Sequence, residues 1–354
     1  MTDEWKGKIS RTTRRLVALY HPTTLKEKGL VWAAGLLLGT YVVIVLVLGI
    51  LWNTEPDPFD VQRAAAELGA STGDERVVGA LTTATLIHIG ETLLYKRGGY
   101  LSNDVTPPGV FMDNIPNWEY GALVMIRDGS AALRNHWSRS QSQSLEDKDL
   151  AIAEPLFNFD NSSWILPSSE GEYKKAVAAL KRYLARLTDP SVPDAQFFAR
   201  ADNLKQYLEI VGKRLGSLSQ RLSASVGQVR VNTDLANDAG AEQATRTPKA
   251  VIVKTPWTEI DDVFYEARGA SWALIHLLTA IESDFRRVLE KKNAVISLRQ
   301  IIRELEGTQE STLSPVVLNG SGFGLFSNYS LTMANYISRA NAAIIDLRNL
   351  LEQG

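Results

Sequence analysis

Cysteine is absent from all 354 residues, which excludes a disulfide framework, a thiolate nucleophile and every thiolate metal site. Whatever stabilises this protein is its core. Histidine is nearly as scarce, with four residues, His21, His88, His136 and His276. They show no HExxH, Glu-x-x-His or paired-His spacing, so no metal or cofactor is expected, and packed, hydrogen-bonded histidines are the plainer reading. An excess of positive charge is missing too: 38 basic residues face 40 acidic ones, and the one basic cluster, Lys6 to Lys28, precedes residue 29. Without a basic stripe elsewhere, no nucleic-acid partner is expected. The glycines at 320, 322 and 324 lack the preceding strand and the Lys-Ser/Thr ending of a phosphate loop, and read as a helix connector.

Charge is also missing from Leu30 to Trp52, and there the chain turns from absences to a positive signal. A helix rises 1.5 Å per residue, so about 20 apolar residues cross a hydrocarbon layer about 30 Å thick. Trp32 and Trp52 stand near the two ends, where amphipathic rings favour the headgroups. Lys6, Lys8, Arg11, Arg14, Arg15, Lys26 and Lys28 precede the run, whereas Glu55, Asp57 and Asp60 follow it. The positive-inside rule then predicts a cytoplasmic basic leader over 1–29, a bilayer-spanning anchor over 30–52 and an exported domain over 53–354. A cleaved secretory signal is the rival, but it needs a shorter leader and a small-x-small site, and the run ends in Leu51-Trp52-Asn53. Gly35 and Gly39 have the spacing that lets two membrane helices approach, which makes them the candidate homodimer contact.

Beyond residue 53 the apolar spacing is helical. Phe197, Ala201, Leu204, Leu208, Val211, Leu215, Leu218 and Leu222 alternate steps of four and three; Met333, Ile337, Ala340, Ile344, Leu347 and Leu351 do the same, and Tyr173 to Leu187 forms a shorter stripe. From Ile260 a seven-residue repeat runs through Ala267, Leu274, Ile281, Val288 and Val295 to Ile302, which predicts one helix about 70 Å long. Helices are also expected over 60–70, 75–97 and 119–149, with Pro107, Pro108, Gly109 and Pro116 excluding helix between the last two. The predicted fold is all-α: one N-terminal transmembrane helix, then an antiparallel bundle of long helices with coiled-coil-like seams, a flexible insertion at 228–256 and very little β structure.

Candidate chemistry is confined to loops. Asp104, Asp113 and Glu119 fall in the Pro-rich segment, and Glu154, Asp160 and Trp164 in AEPLFNFDNSSW. With Glu91, these are the carboxylates from which a glycan hydrolase would draw its acid and base, the aromatic and amide groups beside them suiting a sugar. Asp and Asn in loops also cap helices and close turns, which is the structural alternative. A serine-rich face, Ser130, Ser140 and Ser144 with Ser217 to Ser225, suits either close packing or a polar groove.

Several stretches, KRGGYLSNDVTPPG with MDNIP (96–116), SRSQSQS (138–144), RLGSLSQRLSASVG (214–227), FYEARG with WALIHLL (264–278) and ANYISRANAAIIDLR (334–348), resemble an uncharacterised bacterial membrane-anchored family, the domain of unknown function 2333. The resemblance implies a Gram-negative setting, an inner-membrane anchor, a helical periplasmic domain and no catalytic residues to carry over. Three functions follow. The leading one is a non-enzymatic envelope scaffold or adaptor for protein partners. A peptidoglycan- or glycan-acting enzyme using the loop carboxylates is the alternative, and a periplasmic ligand sensor the third, weakened by a cytoplasmic segment of only about 29 residues.

Overall fold

The computed structural model describes residues 18–70, 77–140, 145–192, 194–231, 250–312, 314 and 316–353. It divides into two compact units, Met1–Trp52 and Asn53–Gly354. In the first, helix α1 (Pro22–Lys28) turns at Gly29, whose φ of +85° suits a residue without Cβ, into α2 (Leu30–Trp52). None of α2 is buried within the protein. Among the described residues it is the one helix long and apolar enough to span a membrane, properties that a signal sequence near an N-terminus shares.

The second unit is helical: α3 (Val61–Glu67), α4 (Ala80–Tyr95), α5 (Asn114–Ala132), α6 (Leu150–Phe157), α7 (Ser169–Thr188), α8 (Ala201–Ser223), α9 (Ile260–Asp284), α10 (Arg286–Lys291), α11 (Val295–Glu306) and α12 (Tyr329–Glu352). A short hairpin, β1 (Gln228–Val231) against β2 (Ala250–Val253), holds Val229 opposite Ile252. It closes the two ends of the segment expected to be a flexible insertion, whose residues 232–249 lie outside the described ones.

Cross-chain pairs give the direction of each helix. Lys205 meets Glu352 and Ser219 meets Ala334, so α8 and α12 are antiparallel. Lys96 meets Glu119, and Thr82 meets Asp284, so α4 opposes both α5 and α9. Asp128 with Arg214, Asp149 with Arg182, and Glu304 with Arg339 extend the alternation through α8, α6 with α7, and α11 with α12. One consequence follows for α5 and α9, which are both antiparallel to α4: they run parallel to each other, with Asn117 bonded to Asp262 and Trp118 against Trp272. Their backbones cross where neither helix carries a side chain. A Cβ on Gly121 would lie 2.0 Å from the Glu266 carbonyl oxygen, and one on Gly269 would lie 1.9 Å from that of Trp118.

The stripes expected for α7, α8 and α12 are the buried faces of those helices. The seven-residue repeat from Ile260 is not one helix. It breaks after Asp284, and again where Asn293 takes a φ of +54°, so that α11 folds back along α9 and Glu282 pairs with Arg299. Folding back lets Leu298, Ile301, Ile302 and Leu305 bury themselves within the chain, which a single projecting rod would not allow. Pro116 does not exclude helix either. It occupies the first turn of α5, where its missing N–H would have no intrahelical partner anyway. The expected 119–149 helix accordingly starts at Asn114, widens into a π-helical turn over Leu133–Trp137 and stops there.

Gly269→Ala should lower stability by ~2 kcal/mol or more, because backbone rather than a flexible side chain blocks the added methyl. Gly212→Ala, where the added atom meets Asn341 and Ile344 at ordinary distances, is the tolerated control. Thermal melts of the full chain in detergent compare them; equal midpoints would disprove the tight crossing.

Candidate functional site

The residues that follow α2 do not hang free. Glu55 receives Arg268 through Nε at 2.8 Å and Nη2 at 2.6 Å, while Arg268 Nη1 donates to the carbonyls of Thr308 and Glu310. The guanidinium is thereby buried with its fork satisfied on both sides, the arrangement that makes such a charge tolerable. Trp272 Nε1 donates to the Asp57 carbonyl at 3.4 Å. The Phe59 N–H donates to His276 Nε2 at 3.0 Å, and the two rings stack at 3.8 Å. Asp60 then caps α3 by accepting from the Arg63 N–H at 2.8 Å.

Accepting at Nε2 leaves one tautomer for His276, neutral with its proton on Nδ1, which donates to the Trp272 carbonyl at 2.7 Å. Burial pushes this histidine down to about 4, with His88 adding to the fall and the Trp272 bond opposing it. Between the strap and α4 lies a groove of about 620 Å³, lined by Thr54, Asp57, His88, Glu91, Tyr95 and Arg97 among others. His88 is lowered chiefly by burial, against Glu91 and Glu67. Glu91 is held by Lys181 at 2.6 Å.

Beside this groove sits a buried ion pair. Lys96 Nζ lies 2.5 Å from Glu119, and neither side chain reaches solvent to any extent. Glu119 also accepts from the N–H groups of Leu101 and Ser102 and from the Ser102 hydroxyl. Burial raises its pKa, with Lys96 as the main opposing influence. This carboxylate therefore organises the Pro-rich segment from below. It is a residue of α5 and not of a loop. Asp104 is raised by burial and by Glu170, with Lys96 pulling the other way. Asn103 donates to Glu170 and to the Ser163 carbonyl, and the Tyr100 hydroxyl to the Asn161 carbonyl, so the Pro-rich segment and the 158–168 loop lock together.

The remaining candidates are engaged separately. Asp113 accepts from the Asn114 N–H at the start of α5, and Asp160 from Ser162, which lowers its pKa. Glu154, expected in a loop, lies on α6 and pairs with Arg134 at 2.8 Å. Trp164 is exposed on its loop. Gly35 and Gly39 have open space over both. Ser144 lies outside the described residues; Ser130 is buried in the core. Sequence reading missed Lys96, Arg268 and Asp262. Asp262 is pushed up to about 6 by burial and by Asp261 and Asp113, and the clustering of Asp261 and Asp262 at a helix start was the visible signal. Among the described residues no group of three or more metal-ligating side chains occurs.

Two outcomes are expected. Glu119→Gln and Lys96→Met each strand a buried partner and should each cost ~3 kcal/mol, while the double variant should cost less than their sum; additive losses in a double-mutant cycle would refute the coupling. Because the folded value of His276 lies below the unfolded one, the unfolded chain takes up the proton first. That contribution to stability is whole above about pH 6.5 and is lost as pH falls towards about 4, by ~3 kcal/mol at most. His276→Gln should flatten the fall in melting midpoint over that window, and an unchanged slope would remove His276 as its source.

No curated protein and no solved structure matches the chain. The family model of an uncharacterised protein conserved in bacteria, DUF2333, matches residues 25–354, which takes in α2 and the whole helical unit, and the chain belongs to that family.

Proposed function

We propose that this protein is a single-pass inner-membrane protein with a periplasmic, non-enzymatic helical domain that acts as an envelope scaffold or adaptor. The observation that carries this reading is the employment of the candidate carboxylates. Asp113 and Asp160 hold local turns, Glu154 and Glu91 are paired with Arg134 and Lys181, and Glu119 is sealed under Lys96. A glycosidase needs two carboxyl groups facing each other across an open cleft, about 5 to 10 Å apart. These five groups are distributed over different helices and loops and serve the fold, whereas Asp104 is the candidate that burial and Glu170 leave raised. Gly35 and Gly39 offer a contact for a second copy within the bilayer.

A second reading, ligand binding, is favoured by the groove beside His88, Glu91 and Arg97, whose volume fits a small polar molecule.

Photoreactive residues placed in living cells at the exposed Leu145, Ile296 and Trp164, and at Leu38 between the two glycines, test the scaffold reading. One reproducible protein adduct at a surface position, and a self-adduct at Leu38, are the expected results. Failure to capture any protein, together with digestion of purified sacculi by the full-length protein, would overturn it in favour of the enzyme.

A further inference from the structure

The alternation of helix directions sorts the loops into two sets. The connections α4–α5, α6–α7, α8–α9 and α11–α12 lie at one end of the helical unit, where Glu55 reaches them through Arg268 and Glu310; the connections α3–α4, α5–α6, α7–α8 and α9–α11 lie at the other. Hydrogen bonds tie the first set directly. Asn103 reaches Ser163, Asn117 reaches Asp262, and Arg268 joins Glu55 to Glu310.

Exposed apolar side chains are divided very unevenly between these ends. On the first, each of the four loops presents at least one large side chain to solvent: Phe111, Leu166, Ile252 with Trp257, and Phe323 with Leu325. Leu166 is 90% exposed, and Phe323 and Leu325 are as exposed as in an extended chain. Trp164, Ile165 and Phe326 add to the same loops. The opposite loops, among the described residues, expose Val78 and Leu145, with Ile152 and Ile296 exposed in the first turns of the helices that begin there. Single exposed apolar residues are ordinary, but four loops converging on one face are not.

The same face is where the chain enters. Trp52 ends the apolar helix and Glu55 is already fixed on Arg268, so two residues, Asn53 and Thr54, join them over about 10 Å when fully extended. A surface tethered that closely to a bilayer-spanning helix has the bilayer as its nearest apolar phase. We infer that this end of the helical unit is a second membrane contact, whose four loops insert their apolar side chains among the headgroups and upper acyl chains of the bilayer that α2 crosses. The inference rests on the anchor reading of α2. Asp113, Glu259, Asp261 and Asp262 share this end, so the contact works by apolar insertion rather than by attraction to anionic lipid.

The natural lack of cysteine makes the test clean. Phe323→Cys, Leu166→Cys and Ile252→Cys in the full-length protein each carry an environment-sensitive fluorophore on an exposed position, with Leu145→Cys at the opposite end and Val43→Cys within α2 as references. Each labelled protein is reconstituted into phosphatidylcholine vesicles containing spin-labelled phosphatidylcholine. The expected result is quenching at positions 43, 323, 166 and 252 and none at 145. Quenching at 43 alone overturns the second contact and leaves the anchor standing. Quenching at none of them overturns the anchor reading itself. A blue-shifted but unquenched label at 323 would mean that protein, and not lipid, covers these loops, and also overturns the inference.

Discussion

The parallel crossing of α5 and α9 is the constraint on which the remaining structure depends. Two helices whose backbones touch have no room for side chains at the crossing, and Gly121 and Gly269 supply that absence. Trp118 and Trp272 flank it, and beside them Glu119, which follows Trp118, and Arg268, which precedes Gly269, are two of the buried charges that organise the loops. Arg268 holds the strap that follows α2; Glu119 holds the Pro-rich segment that follows α4. A shift of either helix by one residue would carry both charges off their partners.

Both buried charges solve the same problem differently. Arg268 spends its donors on one carboxylate and two carbonyls, so a positive charge is matched by acceptors from two separate segments. Glu119 gathers one ammonium, two backbone N–H groups and a hydroxyl. In each case the ion orders backbone that has no regular structure of its own, because breaking one bond would leave a charge in a low-dielectric site at a cost of several kcal/mol. With no cysteine to staple these loops, buried ion pairs and aromatic stacking do so. The strap in particular, at Glu55, Asp57, Phe59 and Asp60, has a partner at every second residue or closer.

Much of the helical architecture was legible because amphipathic stripes leave a periodic trace. Leu204 to Leu222 and Met333 to Leu351 are buried where the spacing placed them. Periodicity says nothing about where a helix stops, however, and the repeat from Ile260 to Ile302 continues through two breaks. The decisive local event, Asn293 in the left-handed region, follows Lys291 and Lys292 and carries no proline or glycine. The apolar run of α2 and the family were equally legible, the first from length and composition, the second from wording. Site residues were harder. Asp113 and Asp160 read as loop carboxylates, and that is their role, whereas Glu119 was visible as a carboxylate but not as a buried one. Its partner Lys96 sits 23 positions earlier, and no rule of spacing connects residues on two antiparallel helices. Arg268, in FYEARG, carried no signal of burial because its acceptors, Glu55, Thr308 and Glu310, belong to segments far from it in sequence.

Tethering changes what weak contacts can accomplish at the end of the unit where the chain enters. A Phe or Leu side chain moved from water to an apolar phase gains about 1.5–3 kcal/mol, and a soluble domain would lose much of that to the entropy of localising at a surface. On the anchor reading of α2, a domain attached to it through two residues meets that cost once, and each loop then engages at the high effective concentration that a short linker imposes. Phe323 and Leu325 would be an aggregation liability on a free protein. On a tethered one, modest insertion energies from several loops suffice to fix tilt and rotation, degrees of freedom that a lone helix leaves open.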